Sequence, residues 1–174
     1  MRIVNKLVNH RIEGNVIILN TDVIDYKVMF LRDEIVRIRA GFDNDFIEES
    51  YSLVMTGWND RLDHVVVNDR KKVDLCDFDV IENEQYIMFV GKKLQIKVMK
   101  AIFQIFIYDM KENQLHADII DLAYYEDSNA RRIHTSEILE GDHFYGFGEK
   151  SGEFNKHLKF MTMNPGDTMG YNPK

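Results

Sequence analysis

The sequence predicts an all-β protein, a large antiparallel β-sandwich. Apolar residues recur at every second position in several segments, the period that puts alternate side chains on one face of a strand. No long segment carries the 3.6-residue apolar period of an amphipathic helix. Short polar turns punctuate the chain, and its two prolines, Pro165 and Pro173, both fall near the end. The 174 residues fit one domain, residues 1–174, at roughly 150 residues per domain. A chain of that length buries about 70% of its unfolded surface, enough for one core without staples.

Ile24, Tyr26, Val28 and Phe30 alternate with Asp25, Lys27, Met29 and Leu31. Asp33-Glu34 marks a turn. From Ile35 to Ala40 the alternation resumes, with Arg37 and Arg39 on one face and Val36, Ile38 and Ala40 on the other. This is a hairpin with one buried face. Segment 41–64 breaks the pattern with Gly41, Asn44, Gly57, Asn59 and Asp60, and carries the large rings Phe42, Phe46, Tyr51 and Trp58. It reads as a long loop pinned over the sandwich by its aromatics, with a sugar-stacking platform as the alternative. Arg70, Lys71 and Lys72 lie among Asp69 and Asp74 and read as a solvated turn.

Tyr86 to Val90 and Leu94 to Val98 make a second hairpin around Gly91-Lys92-Lys93. Leu94, Ile96 and Val98 face inward, and Gln95 and Lys97 face water. Ala101 to Tyr108 is apolar on both faces apart from Gln104, which predicts a central strand. Asp109 to Gln114 is a polar turn, and Leu115 to Leu122 returns as a strand. Further on, glycines inside an aromatic stretch from His143 to Phe154 mark a bulge or a close backbone approach within a strand. A strand from Leu158 to Met163 follows. Asn164-Pro165-Gly166-Asp167 then signals a turn that exposes Asp167 and Thr168.

Composition narrows the function. The net charge is −7 and the isoelectric point is near 5.4. An acidic surface disfavours nucleic acid, whose binding rests on displacing counterions, and disfavours an anionic membrane. No run approaches the ~20 apolar residues of a membrane span, and the first twenty or so residues have no apolar stretch of signal-peptide length. The single cysteine, Cys76, allows no internal disulfide and fits a reducing compartment. A cytoplasmic location is the expectation, with Cys76 a buried, inert thiol.

No dinucleotide fingerprint, phosphate loop or nucleophile elbow is present. The six histidines, His10, His64, His116, His134, His143 and His157, show no metal-ligand spacing. They read as surface or satisfied strand residues, so no metal and no cofactor are expected.

The run Tyr145-Gly146-Phe147-Gly148-Glu149-Lys150-Ser151-Gly152 resembles the "YG-x-GE-x-x-G" signature of the N-terminal domain of glycoside hydrolase family 31, the α-glucosidase and α-xylosidase family. The Lys159-to-Asn164 segment and the Asp167-Thr168-Met169-Gly170-Tyr171 loop stand where that family has its "N-x-D" loop. Here Pro165-Gly166 puts two residues between Asn164 and Asp167, where many members have one. The Ile35-to-Arg39 hairpin is similar to the family's "spdi-v-R-v-r" strand.

The resemblance implies a sandwich of the galactose-mutarotase-like type. It also implies a catalytic (β/α)₈ barrel that this chain lacks, since no "W-x-D-M-N-E"-like motif occurs. The chain itself is then non-catalytic and inactive alone, and its parent is a retaining glycosidase acting on α-linked glycosides or oligosaccharides. By the same resemblance, Asp167 with Thr168 contacts substrate. Tyr145, Gly146, Gly148, Glu149 and Gly152 form a structural motif, with Glu149 satisfying nearby backbone amides. A bare barrel-docking face is expected to leave apolar surface and to favour a homodimer. The alternative is a free-standing mutarotase-like epimerase or carbohydrate-binding sandwich, with His116 and Glu149 as candidate acid and base.

Overall fold

A computed structural model describes residues 1–46, 48–49, 53, 55–56, 71–74, 76–148 and 152–161. The chain divides into two compact units, residues 1–137 and residues 138–174. All strands among the described residues belong to the first unit.

That unit holds two large antiparallel meanders. One runs in chain order through β2 (Leu7–Glu13), β3 (Val16–Thr21), β4 (Asp25–Arg32) and β5 (Ile35–Gly41). The other runs through β8 (Asp79–Glu82), β9 (Tyr86–Val90), β10 (Leu94–Met99), β11 (Gln104–Asp109) and β12 (Gln114–Ala117). A third sheet pairs β1 (Arg2–Ile3) with β13 (Tyr124–Glu126), and β13 with β14 (Arg132–His134).

The alternation does what the sequence predicts. Tyr26, Val28 and Phe30 of β4 are fully buried, as are Ile87 and Phe89 of β9 and Ile96 and Val98 of β10. These side chains, with Ile17, Leu19 and Ile105, form one core between the two meanders. Register reinforces it: Val28 stands opposite Ile17 and Ile38, and Val98 opposite Ile87 and Ile105. Rings bridge the sheets. Phe78 stacks on Phe30 at 5.4 Å and meets Phe89 edge-on at 5.9 Å. Tyr26 stacks on Phe103 and meets Tyr124 edge-on, both at 4.9 Å. The Tyr26 hydroxyl is buried with no hydrogen-bond partner among the described residues.

Short polar side chains close the turns. Gly14, at φ 60°, takes the first central position of the two-residue β2–β3 loop, where a side chain would be strained. Asp22 accepts the amides of Asn5 and Lys6. Asp109 accepts those of Lys111 and Asn113, and Asp127 accepts those of Asn129 and Arg131. Gly91 ends β9's hairpin, and a Cβ there would sit 2.9 Å from the buried Phe30 ring.

Several expectations need correction. The strand expected from Ala101 begins only at Gln104, because Ile102 adopts φ 55° and turns the chain. It does lie between two neighbours, β10 and β12. The strand expected from Leu115 to Leu122 ends at Ala117, where Asp118 turns inward and is buried. Lys71–Lys72, expected in a turn, forms β7 and pairs in parallel with β6 (Met55–Thr56). In segment 41–64, Phe42 is buried and Phe46 lies 4.5 Å beneath the Lys27 ammonium. Tyr51 and Trp58 fall outside the described residues. Cys76 is half-buried, and burial followed by a hydrogen bond with Asp33 pushes its thiol up, which fits an inert role.

The second unit departs most from expectation. Its described residues contain no strand. Gly146, Phe147 and Gly148 take φ 93°, 68° and 71° in succession, a left-handed run that no extended strand can hold. Leu158, at φ 56°, breaks the expected second strand at its first residue. Asn155 ties this segment together by accepting the amides of Phe144 and His157.

Candidate functional site

The meeting point of the β8–β12 meander and the third sheet gathers the titratable groups. Past the end of β12, Asp118 forms a bridge to Ser136. The Glu137 amide donates to the Ala117 carbonyl at 2.8 Å, which holds the two sheet edges together. His116 on β12 and His134 on β14 are thereby brought to the same carboxylate. His134 Nε2 lies 2.8 Å and His116 Nε2 3.0 Å from Asp118 Oδ1. Asp118 Oδ2 accepts the Ile105 amide at 2.7 Å.

Asp118 is fully buried, whereas the His116 and His134 side chains are 25% and 41% exposed, so the cluster opens outward through its imidazoles. Burial pushes the Asp118 carboxyl up. The hydrogen bonds from His116, His134 and the Ile105 amide outweigh that and hold it below the usual carboxylate range. The Tyr124 ring, which faces His134 across the β13–β14 register, stacks on its imidazole at 4.3 Å and 13°. This stacking fixes the plane of the more exposed histidine. Burial, then the Asp118 charge, drives the Tyr124 phenol far above its ordinary range, so it stays neutral.

A cleft of about 320 Å³ opens over the cluster. Val36, Ile38 and Ala40 of β5, with Ile107 of β11, give its apolar wall, and His116, His134 and Tyr124 give the polar one. Chemically, the arrangement offers two imidazoles and a fixed carboxylate beside a partly apolar hollow. It can exchange protons, accept hydrogen bonds or hold a cation.

Sequence spacing did not reveal this convergence. His116 and Asp118 are two residues apart, and His134 lies sixteen residues beyond Asp118, a separation without a motif. The available signal was a histidine in a strand with an aspartate two residues on, just past the strand's end.

The expected site residues lie elsewhere. Tyr145 is half-exposed and packs on Phe154 at 4.9 Å. Gly146, Gly148 and Gly152 all have positive φ. Among the described residues, a Cβ at Gly146 or Gly148 would meet nothing within 4 Å, so of the bulge or close backbone approach expected of these glycines, the close approach is not seen there. Glu149, Asp167 and Thr168 fall outside the described residues, as does the acid–base pairing of Glu149 with His116. Among the described residues, no helix is long and apolar enough to cross a membrane.

Comparison with known proteins places this architecture. Residues 25–174 match the model of the glycosyl hydrolase 31 N-terminal galactose mutarotase-like domain. Over 143 residues the chain is 31% identical to an alpha-glucosidase 2 of Bacillus thermoamyloliquefaciens, covering 79% of this chain and 15% of that protein. In fold it is similar to a dextranase of Flavobacterium johnsoniae from glycoside hydrolase family 31, with a TM-score of 0.71 and 21% identity, over 90% of this chain and 18% of that one. It is also similar to a cycloalternan-forming enzyme of Listeria monocytogenes, with a TM-score of 0.63 and 13% identity, over 88% of this chain and 14% of that one. The chain spans less than a fifth of the length of these relatives. With its two antiparallel meanders around one core and a family match over residues 25–174, it belongs to the N-terminal galactose mutarotase-like domains of glycosyl hydrolase family 31.

Proposed function

We propose that the chain acts as a non-catalytic β-sandwich within a retaining, α-glucosidase-like glycoside hydrolase. It packs on a catalytic (β/α)₈ barrel and lends the loop bearing Asp167 and Thr168 to the carbohydrate-binding cleft. The observation that carries this reading is the family match over residues 25–174, which includes both the Tyr145–Gly152 signature and that loop. A loop carboxylate suits the role, since it accepts charge-assisted hydrogen bonds from paired sugar hydroxyls. Docking on a barrel also accounts for the second unit's surface: Phe154, Leu158 and Phe160 are 82%, 78% and 94% exposed. Apolar side chains bared to that degree suit a protein partner. In its absence they favour self-association of the isolated chain. The acidic, single-cysteine composition supports a cytoplasmic setting.

The test has two arms. The 174-residue chain alone should not turn over an aryl α-glucoside, because hydrolysis needs two carboxylates flanking one bond. In a protein carrying the barrel, Asp167→Ala should lower kcat/KM by roughly ten- to a hundredfold without moving the melting temperature, the loss expected of one charge-assisted hydrogen bond. Turnover by the isolated chain above an Asp167→Ala control would overturn the reading. One feature favours a second reading, a mutarotase-like activity: His116 lines an open cleft. Catalysed anomer interconversion by the chain, abolished in His116→Ala, would establish that reading.

A further inference from the structure

We propose that His116, Asp118 and His134 form a mononuclear transition-metal site, with zinc as the fitting cation. The three donor atoms, two imidazole nitrogens and one carboxylate oxygen, all lie within 4.8 Å of one another. Both histidines present the same atom, Nε2, to the same oxygen, so the three donor atoms already face one another. Zinc sites hold nitrogen and oxygen donors at about 2.0–2.2 Å, which separates two tetrahedral ligands by roughly 3.3–3.6 Å. The observed separations from Asp118 Oδ1, 3.0 Å and 2.8 Å, need to widen by about 0.3–0.8 Å to admit the cation.

The surroundings are built to orient the donors. The amide of Ile105 fixes Asp118 Oδ2 and leaves Oδ1 to the imidazoles. Tyr124 stacks on His134 and sets its ring plane. Groups of this kind, one shell out, are what hold metal ligands in place. The cleft beyond His116 and His134 leaves room for a water in a remaining coordination position, the open-site pattern. A two-histidine, one-carboxylate set is too rich in nitrogen for magnesium or calcium and suits a first-row transition metal. On binding, each neutral imidazole moves its proton from Nε2 to Nδ1 and gives the Nε2 lone pair to the cation, with no net proton release from neutral rings.

The site is independent of whether Asp167 touches sugar, and its test needs no glycosidase activity. The chain is stripped with a chelator and titrated with zinc chloride by calorimetry. Cobalt(II) is then titrated in parallel, and the visible absorption of a four- or five-coordinate ion is recorded. Wild-type chain should bind one equivalent and melt at a higher temperature with zinc present. His134→Ala and His116→Ala should each weaken binding about a hundredfold or more and abolish the cobalt absorption, losses at least as large as those from removing an outer-shell partner. His134 is 41% exposed, and circular dichroism of the metal-free variant checks that the fold survives its removal. His10→Ala, at a histidine 3.7 Å from Glu82, should bind like wild type. Zinc binding that is absent in wild type, or equal in wild type and His134→Ala, would show that Asp118 is only the acceptor of a metal-free hydrogen-bond network.

Discussion

Tyr26→Phe should stabilise the protein. The Tyr26 side chain is completely buried, and its hydroxyl has no hydrogen-bond partner among the described residues. Burial, with the nearby Asp118 and Asp22 charges adding to it, drives the phenol far above its ordinary range, so the group stays neutral. A buried polar group without a partner costs about 1–3 kcal/mol of desolvation that no contact returns. Phenylalanine keeps the ring, and with it the contacts to Phe103 and Tyr124 at 4.9 Å. Loss of the oxygen's packing offsets part of the gain, which leaves about 1 kcal/mol in favour of the variant. For a domain of this size that raises the melting temperature by roughly 2–4 °C. Differential scanning calorimetry, with denaturant titration to confirm an unchanged slope, reads it directly. Tyr26→Ala provides the opposite sign, because removing the ring costs about 3–5 kcal/mol. A Tyr26→Phe variant less stable than wild type by 1 kcal/mol or more would refute the reasoning and mean that the hydroxyl is satisfied.

Gly91→Ala should destabilise by about 1–3 kcal/mol, the cost of overpacking a filled core, because the added methyl meets the Phe30 ring at 2.9 Å and the Leu94 carbonyl at 3.3 Å; a denaturant midpoint equal to wild type would count against it. Asp22→Asn should flatten the acid side of the stability profile. Burial pushes the Asp22 carboxyl up, but the Asn5 and Lys6 hydrogen bonds outweigh it and leave the value lowered. Its contribution is therefore present above the unfolded-state value near 3.9 and lost as pH falls through the lower folded one. Melting temperatures between about pH 2 and 5 should thus fall less steeply in the variant than in wild type.

The hairpins were legible because alternation and burial coincide. Tyr26, Val28 and Phe30 show the pattern in the chain and fill the core in the fold. β2 and β3 went unread: Val16 to Leu19 is apolar throughout, and Val8 and Ile12 of β2 are exposed, so neither strand alternates cleanly. The stretch around Tyr145 misled in another way. Its rings suggest a strand, but consecutive left-handed residues at 146–148 decide the backbone, and the glycines that permit them read equally as a bulge. The His116, Asp118 and His134 cluster was beyond sequence reading, since it depends on the Asp118–Ser136 bridge that joins two sheets.

The pairing of β1 with β13 also sets an order of events during synthesis. Each meander is built from hairpins whose partners leave the ribosome within seconds of each other, and short loops close at low entropic cost. β1 has no such partner strand, although Arg2 also pairs with Asp43 at 2.9 Å. The Arg2 ion pair with Glu126 spans 124 positions, so the first strand must wait, unpaired, until nearly all of the first unit has been made. Closure of the third sheet is then the slow, non-local step. The His116 and His134 rings need not wait for it, because the β13–β14 hairpin and the Asp118–Ser136 bridge bring them together without β1. An N-terminal tag that delays β1 would retard closure of the third sheet while leaving both meanders and the β13–β14 hairpin free to form.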